Sequence, residues 1–190
     1  MNARSTLTVS LLVATISNGL MAGVFGIFSH TVMRGLHNTD DRTFVGAFQA
    51  IDRAIINPIF ISTFLGALGF SALASALSFR DGSRSVLPWV IAATVLYLAV
   101  VITTSAVHLP LNDAMKAAGR PDDITALALV RANFHETRWI AWNIVRTVAS
   151  TAAFVCLAWA LLLHGRATGD RTTQMAHALP ATDSPRPSTE

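Results

Sequence analysis

The chain has 190 residues, of which 52% are hydrophobic and 13% charged, with a formal net charge of +3. A soluble domain is usually about one quarter charged, and the basic residues here are scattered rather than gathered into a patch or stripe, which argues against nucleic acid as a partner. The single cysteine, Cys156, lies in an apolar run; it allows neither an intrachain disulfide nor a cysteine-based zinc site and reads as a small buried or lipid-facing residue.

A bilayer core about 30 Å thick is crossed by about 20 apolar residues of helix. The first segment of that length runs over residues 7–29. It follows Arg4 as a signal peptide's apolar run does, but it is long and no convincing small-x-small cleavage site follows it, so it is expected to remain as a span. Gly19, Gly23 and Gly26 in this run, with Gly66, Gly69, Ala72 and Ala76 in the second, have the spacing that lets membrane helices approach closely.

Loop one carries NTDDRTFVGAFQAIDRAI, with Thr39 as an expected N-cap, acids in the first turn, and Phe44, Phe48, Ile51 and Ile55 on one face. The second span is expected over 55–79, opened by Asn57 and Pro58, which suit a cap and a first helical turn. A short turn, RDGSRS, leads to the third span, 86–107.

That span runs into HLPLND, residues 108–113. One reading is that Pro110 stops the helix and the polar groups meet water, with Asn112 capping a helix from Asp113 to Ala118. The other is that these groups face a site at the membrane edge. Loop three then offers a short helix starting near Pro121, Asp122 and Asp123, with Ile124, Leu127, Val130, Arg131 and Phe134 following at mixed spacing. The fourth span is expected over 139–163, and the polar, proline-rich residues 166–190 read as a disordered tail after a four-span domain of residues 1–165. The expected fold is thus all-α: an integral membrane four-helix bundle with short amphipathic helices in loops one and three.

Arginines near the short second connection, Arg80 and Arg84, with Arg4 and Arg166, favour cytoplasmic termini. Whatever the orientation, four spans bring the end of span one, the start of two, the end of three and the start of four to one side. His30, Asn57, His108, Asn112, Asp113, His135, Glu136, Trp139, Asn143 and Arg146 gather there. Arg146 lies about 10 Å into span four at 1.5 Å per residue. An arginine at that depth is costly and normally faces the bundle interior. Asn143 and Trp139 precede it on the same face. Snorkelling, or pairing with Asp113 or Glu136, would be a structural alternative to ligand binding. His30, His108 and His135 could converge on copper or iron, although no HxH or HExxH spacing is present.

Four motifs, LMAGVFGIFSHTVMRGL, FQAIDRAIINPIF, HLPLND and WIAWNIVRT, occur in this order. Together they resemble the DUF1772 family, which includes the anthrone oxygenases. The resemblance runs from Gly19 to about Thr147, and its most specific parts are Pro110–Asn112 and the WNxxR of Trp142–Arg146. It departs at Phe48, where methionine is expected before Gln49, at Asp52, where asparagine is expected, and near Arg34, where a proline is missing.

The resemblance implies a small four-helix membrane oxygenase that oxidises an anthrone-like aromatic polyketide to a quinone with O2. No flavin, haem, nicotinamide or phosphate-loop motif is visible, which fits a cofactor-free route. In that reading His108 or His135 is the base, Arg146 with Asn143 and Asn112 holds the oxyanion, and Trp139 and Trp142 stack on a hydrophobic aromatic substrate, with Asn57 and Asp113 nearby. Two other readings stay open at this level: a metal-dependent oxygenase using His30, His108 and His135, and a non-catalytic membrane subunit with a protein partner or a second copy of itself.

Overall fold

The computed structural model describes residues 3–80 and 83–178, and every regular element among them is helical. The order is α1 (Ala3–Ile27), a π-helical turn (Phe28–Val32), α2 (Met33–His37), α3 (Asp41–Ile55), α4 (Pro58–Arg80), α5 (Leu87–Thr103), a second π-turn (Thr104–His108), α6 (Leu109–Ala117), α7 (Leu127–Asn133) and α8 (Glu136–Ala178). Four continuous helical stretches are long and apolar enough to cross a membrane. α1 packs on α4 and α8, and α5 packs on the same two helices, so the spans form a closed ring.

The stripes that make this ring follow a spacing of three and four. In α4 the buried residues are Phe64, Ala67, Ser71, Ala74 and Ser78, and in α8 they are Asn143, Arg146, Ser150, Ala153, Leu157, Ala160 and His164. Sustained 3–4 spacing keeps one stripe facing the partner helices along the bundle. The small residues divide. A Cβ on Gly19 would meet the Phe154 ring at 3.0 Å, whereas nothing lies within 4 Å of one on Gly23 or Gly69. Ala72 and Ala76 face outward, so the close contacts of α4 come from Ala67, Ser71 and Ala74 instead. Polar groups also link the spans: Asn18 donates to Ser71 Oγ at 3.4 Å, and Ser75 and Thr94 hydroxyls meet at 3.0 Å.

The loop-one and loop-three helices form a cap over one end of the ring. Met33, Leu36, Phe44, Val45, Phe48, Met115, Phe134 and Trp139 make a second core there, with Phe48 and Phe134 rings 4.5 Å apart. Arg131 secures it. Its guanidinium donates to the carbonyls of Thr39 and His37 at 2.8 and 2.9 Å, pairs with Asp41 at 3.1 Å, and lies over the Phe44 ring.

Several boundaries differ from those read in the sequence. Asp40, not Thr39, caps α3, accepting from the Thr43 amide at 3.1 Å and from its hydroxyl. Thr39 instead closes α2 through its bond to the Leu36 carbonyl. Loop three makes turns around Pro121–Asp123, and its helix begins only at Leu127. α8 continues past Leu163 to Ala178, because no proline or capping glycine motif stops it before Pro180. Residues 166–178 of the expected tail are therefore helical, and 179–190 lie outside the described residues.

The largest correction concerns HLPLND. Pro110 does not end the third span. It sits in the first turn of α6, where its missing N–H is tolerated, and the chain passes from α5 through the second π-turn into α6. His30 likewise lies inside the first π-turn rather than at a helix end. Asn112 is an interior residue of α6, not a cap.

Candidate active site

Below the cap is a cavity of about 400 Å³ bounded by α1, α3, α4, the second π-turn, α6 and α8. Its walls are mostly apolar: Phe25 and Phe28 from α1 and the first π-turn, Phe48, Ile51 and Ile55 from α3, and Phe60 and Phe64 from α4. Its polar groups are His108, Thr104, Arg146, Asp52, Asn112, Asp113 and Lys116.

The two π-turns shape this region. A π-turn adds a residue to a helical turn and such turns frequently mark functional sites. The first carries buried Ser29, and the second carries Thr104 and buried His108. Both therefore present polar groups at the depth where α8 brings in Asn143 and Arg146.

Arg146 is 7% exposed, and among the described residues no carboxylate pairs with it. It neither snorkels nor meets Asp113 or Glu136. Its Nη2 donates to Asn143 Oδ1 at 2.5 Å and its Nη1 to Thr104 Oγ1 at 3.2 Å. The guanidinium lies 4.4 Å from the Phe25 ring centre and 5.7 Å from that of Trp139. Those π faces supply part of the compensation that a carboxylate would otherwise give. Nε is buried without a partner.

His108 is 1% exposed and packs edge-on against Trp139 with ring centres 5.0 Å apart. Its Nδ1 faces the Thr103 carbonyl at 3.4 Å. A carbonyl can only accept, so this contact places the proton of a neutral imidazole on Nδ1 and the lone pair on Nε2. Nε2 is buried and has no partner.

The two asparagines hold these groups in place. Asn143 donates to the Phe25 carbonyl at 2.9 Å and to Ser29 Oγ at 2.7 Å, which fixes its Oδ1 toward Arg146. Asn112 donates to Asp52 Oδ1 at 2.6 Å and accepts from Trp139 Nε1 at 2.9 Å. Lys116 Nζ sits 3.1 Å from Asp52 Oδ2 and 3.0 Å from Asp113. The chain Lys116–Asp52–Asn112–Trp139 thus ties the cap to the indole on which His108 and Arg146 both rest. Both amides are thus engaged by protein partners.

The other expected residues lie apart. His135 is exposed between α7 and α8, has a left-handed backbone with φ 51°, and lines a separate hollow with Arg131, Glu136 and Arg138. Trp142 is 41% exposed on the outer face of α8. Asn57 caps α4 by accepting from the Phe60 amide at 3.0 Å. His30 is exposed, so His30, His108 and His135 do not converge, and no group of three His, Cys, Asp or Glu that could hold a metal ion occurs among the described residues.

Phe25, Thr104, Asp52 and Lys116 were not among the residues singled out for the site. Asp52 left a legible trace, an acid four residues after Phe48 on the apolar side of an amphipathic helix. Thr104 left none, because its position depends on the π-turn.

No curated protein and no solved structure matches this chain. The sequence profile of the anthrone oxygenase family matches residues 44–156. That span runs from within α3 into the first half of α8, hence it holds every cavity wall except those from α1 and the first π-turn; the first of the four resembling motifs lies outside it. The match covers more than half of the chain, and the chain belongs to the anthrone oxygenase family.

Proposed function

We propose that this integral membrane protein is an oxygenase that converts an anthrone-like aromatic substrate to a quinone with O2, using its own side chains rather than a redox cofactor. The observation that carries this reading is Arg146: a buried guanidinium without a carboxylate partner, at an apolar cavity that also holds His108 with a free Nε2. A buried charge is usually paired, so this site favours a ligand that is anionic or becomes so. An anthrone meets that description, being flat, apolar and acidic at the carbon between its rings.

In this mechanism His108 Nε2 removes a proton from that carbon, and the enolate oxygen rests against Arg146. The carbanion carbon adds O2, and the peroxide takes up a proton. Its O–O bond then breaks as the same carbon loses its second hydrogen. A carbonyl forms and one water leaves. Phe25, Phe28 and Trp139 line the slot that excludes bulk water, which strengthens the contact of Arg146 with the developing charge. With both termini in the cytoplasm, as Arg80 and Arg84 favour, the capped end faces the opposite side of the membrane.

The test is O2 uptake by detergent-purified protein given anthrone, with and without a strong chelator, beside Arg146→Leu. Uptake above the spontaneous rate, resistant to chelation, is expected. Arg146→Leu should lower kcat/KM by about 10²–10³-fold, the usual cost of removing one oxyanion donor. Its thermal midpoint should change little, because the lost hydrogen bonds are offset by removal of a buried charge that has no carboxylate partner. Loss of uptake on chelation would transfer the chemistry to copper or iron. No excess over the spontaneous rate would remove the oxygenase reading for this substrate.

A further inference from the structure

The cavity lies under the cap and is bounded laterally by exposed side chains. Over its loop end lies the cap, with Phe48, Phe134 and Trp139 packed together. From the far side it is backed by Phe25 on α1 and by Trp139 and Arg146 on α8, all of them buried. Apart from Ile56 and Asp113 at the loop end, the wall residues that are also exposed on the outside come from α4 and from the second π-turn with α6. Ile61 is 39% exposed and Leu65 57% on one side, and Leu109 is 50% exposed on the other.

Depth gives this rim its meaning. Leu65 lies about 10 Å along α4 from Pro58 at 1.5 Å per residue, a similar distance to that of Arg146 from Trp139 along α8. That is hydrocarbon depth in a bilayer core of about 30 Å. α4 is also the least buried of the four spans. The rim changes character only at its upper end, where Asp113 and Lys116 meet on α6.

The geometry points to a lateral port between α4 and the second π-turn with α6, through which a flat apolar ligand passes from the hydrocarbon phase of the bilayer to His108 and Arg146. This inference rests on reading the cavity as the substrate site, and it adds the phase from which the substrate is drawn. A ligand of that kind concentrates in lipid, and the apolar rim offers it a path without rehydration.

The experiment uses the full chain in vesicles, with Trp89, Trp142 and Trp159 replaced by phenylalanine so that Trp139 is the sole fluorophore. The probe is 9-bromoanthracene dissolved in the lipid, a heavy-atom quencher of the expected shape. Ile61→Phe with Leu109→Phe narrows the rim, and Val148→Phe, an outward position on α8, serves as control. Trp139 quenching should be several-fold weaker in the narrowed variant and unchanged in the control. Equal quenching in all three, in protein with unaltered helical circular dichroism, would overturn the port. The readout needs no turnover, so a port can be established even if anthrone oxidation fails, and the reverse.

Discussion

Away from the cap, the bundle is regular: α4, α5 and α8 bury residues at steps of three and four, and the interior holds small, apolar and hydroxyl side chains with Asn18 and His164, and no Asp, Glu, Lys or Arg among the residues described as buried at that end. Toward the cap, spans one and three each pass through a π-turn, an arginine is buried without a counter-ion, and a cavity of about 400 Å³ remains unfilled. The same four helices therefore pack by repetition at one end and by exception at the other. Repetition serves stability, since interlocking stripes fill space without voids. The exceptions cost stability and leave groups such as Arg146 Nε and His108 Nε2 available to something else.

That contrast predicts large functional effects with little loss of stability at the capped end. His108→Gln keeps a polar side chain of similar reach but removes the basic nitrogen. Anthrone-dependent O2 uptake should fall by roughly 10²–10⁴-fold, the range for loss of a general base, while the thermal midpoint changes little. A parallel collapse of both would make His108 a structural residue.

The cap network should give a mixed and smaller effect. Asn112→Leu leaves Asp52 Oδ1 without its donor and Trp139 Nε1 without its acceptor. Each orphaned group costs about 1–3 kcal/mol, and the loosened indole should raise KM more than it lowers kcat. Unfolding in mild denaturing detergent and steady-state kinetics on one preparation separate the two. A stability loss with unchanged KM would break the link between the network and the site.

The regular end should show the opposite pattern. Gly19→Leu forces a side chain against Phe154, where even a Cβ stands at 3.0 Å. Overpacking of this kind costs about 1–3 kcal/mol. Gly23→Leu should be nearly neutral, because nothing lies within 4 Å of its Cβ. Neither should alter KM. Equal thermal midpoints for the two variants would show that α1 and α8 are not in the close contact described.

The residues that proved legible in sequence were those whose environment is set by local chemistry. Apolar runs of membrane-spanning length, the amphipathic face of Phe44, Phe48, Ile51 and Ile55, the capping pair at Asn57–Pro58 and the buried arginine in WNIVR all read directly. His108 and Trp139 could be placed at the right end by counting spans. His135 and Trp142 were placed at that end too, but which way they point is a matter of helix phase and of the break between α7 and α8. The left-handed residue at His135 resets that phase, and the indole of Trp142 falls on the outer face of α8.

By itself the sequence determined that four helices cross a bilayer and that polar groups crowd one end, because hydropathy and span parity depend only on composition along the chain. Tertiary structure decided the rest. It carried the third span past Pro110 by way of a π-turn, engaged the amides of Asn112 and Asn143 with protein partners, and left Arg146 and His108 with unsatisfied nitrogens. Those outcomes depend on which groups from distant segments reach one another, and no local pattern specifies that.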